Sequence, residues 1–314
     1  MNTERHLLVV GGGTMGVDIA ASFAIYGWAV TIVNPLDSRH GSIQDRFDLA
    51  IARLGRPARR RPALVEALAQ ADWAQIDLVI EAAPESLPIK QSIFRELELH
   101  ARPETPLCSN SSALPISSIG QGLPSQHRML GTHYFMPAHL VPGVEVVCSD
   151  KTDPAVADAV ADVLRAVGKV PIRVRRDLPG FLVNRLQHAV SREALSLMDR
   201  GIVSAEDIDA AVRFGFGFRY LAAGPCLQRD HAGLDIHHAA AGSIYPDLCN
   251  DAEPSAALTQ LVSQGAMGMK AGRGFYAWTP ESIASERERY ETLLAAASEL
   301  LAAEISEARD RKPD

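Results

Sequence analysis

The chain has no apolar run near the roughly 20 residues needed to span a bilayer, and no charged leader followed by a signal-length apolar stretch. It has only four cysteines, Cys108, Cys148, Cys226 and Cys249, with no CxxC pair and no metal-ligand spacing. Scattered cysteines fit a reducing compartment, and a cytoplasmic protein is expected. Positive charge is not in excess. A net charge of -7 and a pI near 5.8 argue against a general nucleic-acid or anionic-membrane surface, though not against a local basic pocket for an anionic substrate. The ten histidines show no HExxH-like spacing, and His237 and His238 are adjacent rather than one helical turn apart, so no metal is expected. There is no internal repeat or low-complexity segment.

What is present is ordinary globular material arranged in a telling order. The 314 residues, 47% hydrophobic and 22% charged, suffice for two domains. An apolar run, Leu7 to Val10, feeds into Gly11, Gly12, Gly13, Thr14, Met15 and Gly16, and an apolar helical stretch follows. Strand, glycine turn and helix start form the arrangement that binds a dinucleotide pyrophosphate. Gly11 permits the turn, Gly13 lets backbone amides approach phosphate, and Gly16 lets helix and strand pack closely; Thr14 and Met15 complete the turn. An ordinary tight turn is the alternative. A second strand, Ala29 to Val33, ends at Asn34, where a side chain meets the adenosine ribose in such folds. Asn34 and Asp37 favour NAD, while Arg39 keeps NADP open.

Strands alternate with helices from Leu7 to Val174, predicting a doubly wound, mostly parallel sheet. The stretch from Gly41 to Ala71 reads as a helix-turn-helix carrying Arg53, Arg56, Arg59, Arg60 and Arg61, either a solvated face or a patch for an anionic substrate tail. Beyond Val174 only helical periods remain: Phe181 to Asp199, Ala205 to Phe214 after Ser204 as N-cap, and Pro280 to Ala308. The fold class is therefore α/β, with a Rossmann-type domain over residues 1–178 and an all-helical domain over 179–314.

His133 follows an apolar strand, and Glu145 sits twelve residues on inside Val144, Glu145, Val146, Val147. A carboxylate in an apolar strand needs a partner, and if Glu145 accepts a hydrogen bond from one ring nitrogen of His133 on a neighbouring strand end, the other nitrogen becomes a general base. By spacing alone, a histidine and a glutamate so placed are more often unrelated.

The run Gly131, Thr132, His133, Tyr134, Phe135, Met136, Pro137 up to Glu145 resembles the catalytic segment of the L-3-hydroxyacyl-CoA dehydrogenase family. So do Glu81 to Lys90, Ser109 to Ser112, Pro179 to Arg185, Gly224 with Pro225, Ala232 to Asp235 and Gly268 to Tyr276, all in family order. The resemblance implies NAD-dependent oxidation of a secondary alcohol beta to a carboxyl derivative, His133 as base and Glu145 as its stabiliser. By motif position it implies Ser112 at the substrate hydroxyl, Asn184 at the substrate carbonyl, Glu85 and Lys90 along the cofactor cleft, and a homodimer. The structural alternatives are a turn cap at Ser112, a backbone ligand at Asn184, and ordinary helix charges at Glu85 and Lys90.

Three departures bear on the substrate. Met136 stands where the family has asparagine, and the segment between Asn34 and Asp77 is short for a CoA-binding hairpin. The run Phe214 to Pro225 is similar to relatives that oxidise free hydroxy acids, such as gulonate and carnitine dehydrogenases, or an alcohol or aldehyde on a pyridine carboxylate. Arg219 is then a candidate carboxylate anchor, or simply an exposed loop arginine. The expected substrate is a small L-3-hydroxy acid or its acyl-CoA thioester. A noncatalytic NAD-binding protein is the rival reading. A β-hydroxyacid dehydrogenase of the 3-hydroxyisobutyrate or 6-phosphogluconate type would carry a catalytic lysine on the interdomain helix, which here carries Asn184 and no lysine.

Overall fold

A computed structural model describes residues 4–35 and 40–310; Asp37 and Arg39, weighed above for the ribose, lie outside the described residues. One sheet holds strands β1 (His6–Val10), β2 (Ala29–Val33), β3 (Ala63–Val65), β4 (Leu78–Glu81), β5 (Leu107–Ser109), β6 (Met129–Tyr134), β7 (Gly143–Val147) and β8 (Val170–Val174). Their order is β3-β2-β1-β4-β5-β6-β7-β8. The pairs from β3 through β6 are all parallel, as continuous apolar runs buried on both faces require. The turn comes at β6 and β7, which pair antiparallel because residues 135–142 return without a crossover helix; β8 then runs parallel to β7.

Helices cover both faces. On one, α1 (Thr14–Ala24), α2 (His40–Leu54) and α5 (Pro154–Ala166) bury Phe23, Phe47 and Leu164. On the other, α3 (Leu87–His100) and α4 (Ile116–Ile119) bury Phe94, Leu97 and Ile116. The expected helix-turn-helix between residues 41 and 71 is corrected: α2 is the one α-helix described there, and a single 3-10 turn, Leu68–Gln70, comes after the strand that follows it. Pro57 and Pro62 interrupt the chain after α2, and Ala63–Val65 then pairs with Thr31–Val33 as an edge strand. The arginines there are engaged locally, Arg53 with Glu291, Arg60 with Glu4, Arg61 with Asp48, and Arg56 over the Tyr26 ring.

The chain divides into two compact units: residues up to Asn184 with those from Arg289 onward, and Arg185–Glu288. The C-terminal segment, expected with the helical domain, thus groups with the sheet. The helices are α6 (Val183–Asp199), α7 (Ala205–Ala210), α8 (Gly217–Tyr220), α9 (Pro225–Ala232), α10 (Leu234–Ile244), α11 (Ala256–Ser263), α12 (Pro280–Leu300) and α13 (Ala302–Asp310). Ser204 caps α7 as expected, accepting the Asp207 N–H at 3.1 Å, but the continuation to Phe214 is wound as a π-helix and kinked at Gly215. No described helix is long and apolar enough to cross a membrane.

Candidate active site

The glycine turn is built as its spacing requires. Gly11 has φ 118°, donates its N–H to Val33 at 2.9 Å, and a Cβ there would lie 2.6 Å from the Ala82 carbonyl. At Gly16 a Cβ would come within 1.9 Å of the Gly11 oxygen, so only glycine lets α1 start this close to β1. Gly13 is different. It is the N-cap of α1 with no side-chain cap, and a Cβ added to it would meet no protein atom within 4 Å. Its freedom serves the space in front of the helix start, where the unbonded amides from Thr14 on and the helix dipole favour an anion. Buried Asn34 closes the end of β2 beside Gly12. The cradle and its neighbour fit a dinucleotide.

Two strands bring His133 and Glu145 together. In the antiparallel register His133 lies opposite Glu145, and the side chains project to one face. His133 Nδ1 is 2.6 Å from Glu145 Oε2, with both side chains buried. The other carboxylate oxygen accepts the Leu182 and Val183 N–H groups, each at 2.8 Å, at the start of α6. Burial pushes the Glu145 carboxyl up, but the bonds from His133, Val183 and Leu182 outweigh it and hold the pKa below the ordinary value. Gly180 at φ 76° and Phe181 at φ 50° form the left-handed turn that aims those amides. Phe181, buried, and Phe135 flank the imidazole, with ring centroids 5.7 and 4.8 Å away. Among the described residues no hydrogen bond engages His133 Nε2.

The β5 end supplies the next wall. Asn110 Oδ1 accepts the Tyr134 N–H at 2.9 Å, tying the loop to the residue after His133. Glu85 Oε1 accepts from Ser111 Oγ at 2.6 Å and from the Ser112 and Ala113 amides at 3.1 and 3.0 Å. Its partial burial raises the pKa, and these bonds with Lys90 overcome that and lower it. Asn184 Nδ2 donates to the Ser112 carbonyl at 2.9 Å, while the Ser112 side chain is exposed. A continuous chain of bonds therefore runs from Ser112 through Asn184 and the α6 start to Glu145 and His133.

Lys90 and Arg219 are placed differently. Lys90 is 1% exposed and donates to Glu81 at 2.8 and 3.0 Å, a buried pair that also accepts Ser109 Oγ at 2.6 Å. It staples β4, β5 and α3 below the Ser112 loop. The sequence motifs include Glu81 and Phe181 but assign neither of them this place; the apolar setting of Glu81 at a strand end is the available signal. Arg219 is exposed on α8 in the second unit, and Met136 is exposed before Pro137.

Family models for the 3-hydroxyacyl-CoA dehydrogenase NAD binding domain and C-terminal domain match residues 6–178 and 180–278. The chain is 31% identical over 303 residues to 5-formyl-3-hydroxy-2-methylpyridine 4-carboxylate 5-dehydrogenase of Mesorhizobium japonicum, covering 93% of this chain and 96% of that protein. It is 33% identical over 288 residues to the mitochondrial hydroxyacyl-coenzyme A dehydrogenase of Homo sapiens, covering 87% and 90%. A crystal structure of the 5-formyl-3-hydroxy-2-methylpyridine 4-carboxylic acid 5-dehydrogenase, described as an NAD+-dependent dismutase, superimposes with a TM-score of 0.90. That match has 29% identity and covers 95% of this chain and 99% of that one.

Proposed function

The chain belongs to the 3-hydroxyacyl-CoA dehydrogenase family, and from that premise we propose that it oxidises a small free hydroxy acid, with His133 as general base. It is an NAD-dependent oxidoreductase acting on a CH–OH group. The observation that carries the base assignment is the 2.6 Å contact between buried Glu145 and Nδ1, with Nε2 left without a protein partner among the described residues.

His133 Nε2 takes the hydroxyl proton while the carbon bearing that hydroxyl loses hydride. Bound NAD supplies the hydride acceptor. Glu145 fixes the tautomer, with Nδ1 protonated, and stabilises the imidazolium once the proton has moved. Ser112 and Asn184, tied to each other, orient the substrate oxygens. Glu85 keeps the Ser112 turn in place, and the Gly11, Gly13, Thr14, Met15 and Gly16 turn with Asn34 holds the cofactor.

The free-acid reading is supported by the α2 to β3 segment, whose arginines are mostly spent on local partners. Exposed Met136 offers an apolar surface beside the histidine strand that suits a ring or short chain. A pyridine carboxylate bearing an alcohol or aldehyde is a second reading, favoured by the TM-score of 0.90. Reduction of NAD is followed by absorbance against free 3-hydroxy acids, hydroxymethyl- or formyl-pyridine carboxylates and 3-hydroxyacyl-CoA thioesters, with His133→Ala as blank. Turnover of free acids is expected; turnover of thioesters alone would sink the reading.

The same reading includes a homodimer in the cytoplasm. Ala266 is the one buried residue among those described in Arg185–Glu288, while Phe214, Phe218, Leu234, Ile236 and Tyr245 are exposed. A helical unit with so little interior needs a second surface to cover its apolar side chains.

A further inference from the structure

A cavity of about 340 Å³ lies within the first unit, away from the residues given catalytic roles above. Its walls come from the C-terminal half of α1, the end of α2, residues 139–142, the approach to β8, and α12 with α13. The outer wall, Ala295 to Arg309, lies beyond residue 278, where the C-terminal family model ends.

Two buried polar groups line it without an adequate partner. Lys169 Nζ donates to the Ala138 and Val141 carbonyls at 2.6 and 2.9 Å, and no carboxylate forms an ion pair with it among the described residues. His139 is also buried. Its Nδ1 stands 3.2 Å from Asp18 Oδ2 but out of line for a hydrogen bond, and its Nε2 meets no partner among the described residues. A buried ammonium that is hydrogen-bonded only to carbonyls, with Asp18 acting on it from a distance, has no direct anionic partner, the situation an incoming anion relieves. The remaining lining is mixed: Ile25, Leu54, Val167, Ala295 and Ile305 give it an apolar side, and Arg53, Glu299 and Arg309 a charged one. The volume is at the low end for small-molecule sites.

We propose that this cavity binds a small carboxylate with an apolar body, its carboxylate on Lys169 and His139 and its chain against α1, α2 and α13. The groups facing Lys169 are Asp18, Tyr26, Arg53, His139, Glu299 and Arg309. Asp18 pairs with Arg46 through Oδ1, Arg53 is engaged by Glu291, and neither Asp18 nor Glu299 forms an ion pair with Lys169, whose charge is left for the ligand. Burial lowers the Lys169 pKa to about 7, and a bound carboxylate raises it, so binding at pH 8 takes up a proton.

The test is calorimetric titration of the full-length protein with hexanoate, run at pH 8 in two buffers of different ionisation enthalpy. Hexanamide and inorganic phosphate serve as comparison probes. Hexanoate is expected to bind with proton uptake, also with NADH saturating and in His133→Ala. Hexanamide and phosphate are expected to bind at least about tenfold more weakly, since each lacks one half of the recognition. Ser298→Leu, which plugs the outer wall from a helix surface, should weaken hexanoate about tenfold or more with the melting temperature kept. Lys169→Met should abolish proton uptake. No binding at about 20 mM, unchanged affinity in Ser298→Leu, equal affinity for hexanamide or phosphate, or loss of binding when NADH is present would each overturn the proposal.

Discussion

Glu145 holds three donors and is buried, which makes it the side chain that sets both the tautomer of His133 and the start of α6. Glu145→Gln keeps the shape but not the charge. It is expected to lower kcat about 100-fold or more while NAD affinity, read from NADH fluorescence, stays close to wild type. A parallel loss of NAD binding would mean that the substitution disturbs the fold instead. Because its pKa is depressed in the folded state, Glu145 contributes stability above the ordinary carboxylate range, and that contribution is lost as pH falls through the folded value. Lys169 works in the opposite sense. Its pKa falls from 10.5 to about 7 on folding, so the unfolded chain binds more protons between these values and stability rises with pH across that window. Denaturant unfolding from pH 7 to 10.5 should show an increment on the order of 4 kcal/mol in wild type relative to Lys169→Met. Equal slopes for the two proteins would contradict the assignment.

At the scale of elements, the glycine turn separates binding from folding. A methyl group on Gly13 meets no protein atom within 4 Å, whereas one on Gly16 would lie 1.9 Å from backbone oxygen. Gly13→Ala is therefore expected to cost about 1 kcal/mol or less of stability yet weaken NAD at least about tenfold. Gly16→Ala should lower the melting temperature first, since helix and strand must move apart. Thermal melts and NADH titrations of both variants check this; the reverse pattern would show that phosphate does not lie over Gly13. The Glu81–Lys90 pair acts at the same scale. It joins β4, β5 and α3, and so supports the loop from which Ser112 projects.

At the scale of the whole molecule, a single buried residue among those described in a unit of about a hundred residues means that its apolar side chains await cover. Light scattering is expected to give a particle near twice 33.9 kDa, and Phe218→Asp to shift it toward the monomer. A wild-type monomer at micromolar concentration would remove the dimer from the functional reading.

The glycine turn, the mostly parallel sheet and the run of helices after it are legible along the chain, because each rests on local spacing or on a motif of contiguous residues; the roles proposed for His133, Glu145, Ser112 and Asn184 rest on motif position. What the sequence could not decide was contact. That His133 meets Glu145 depends on the antiparallel register of β6 and β7, a pairing that a shift of one residue would undo. The edge strand at Ala63–Val65 reads as helix along the chain because three residues carry no usable period, and only the open edge of β2 makes them a strand. The return of the C-terminal segment to the first unit, and with it the cavity around Lys169 and His139, is a product of packing between segments more than a hundred residues apart. Sequence determined which chemical groups the protein owns; tertiary structure decided which of them meet, because burial and register are properties of the assembled chain.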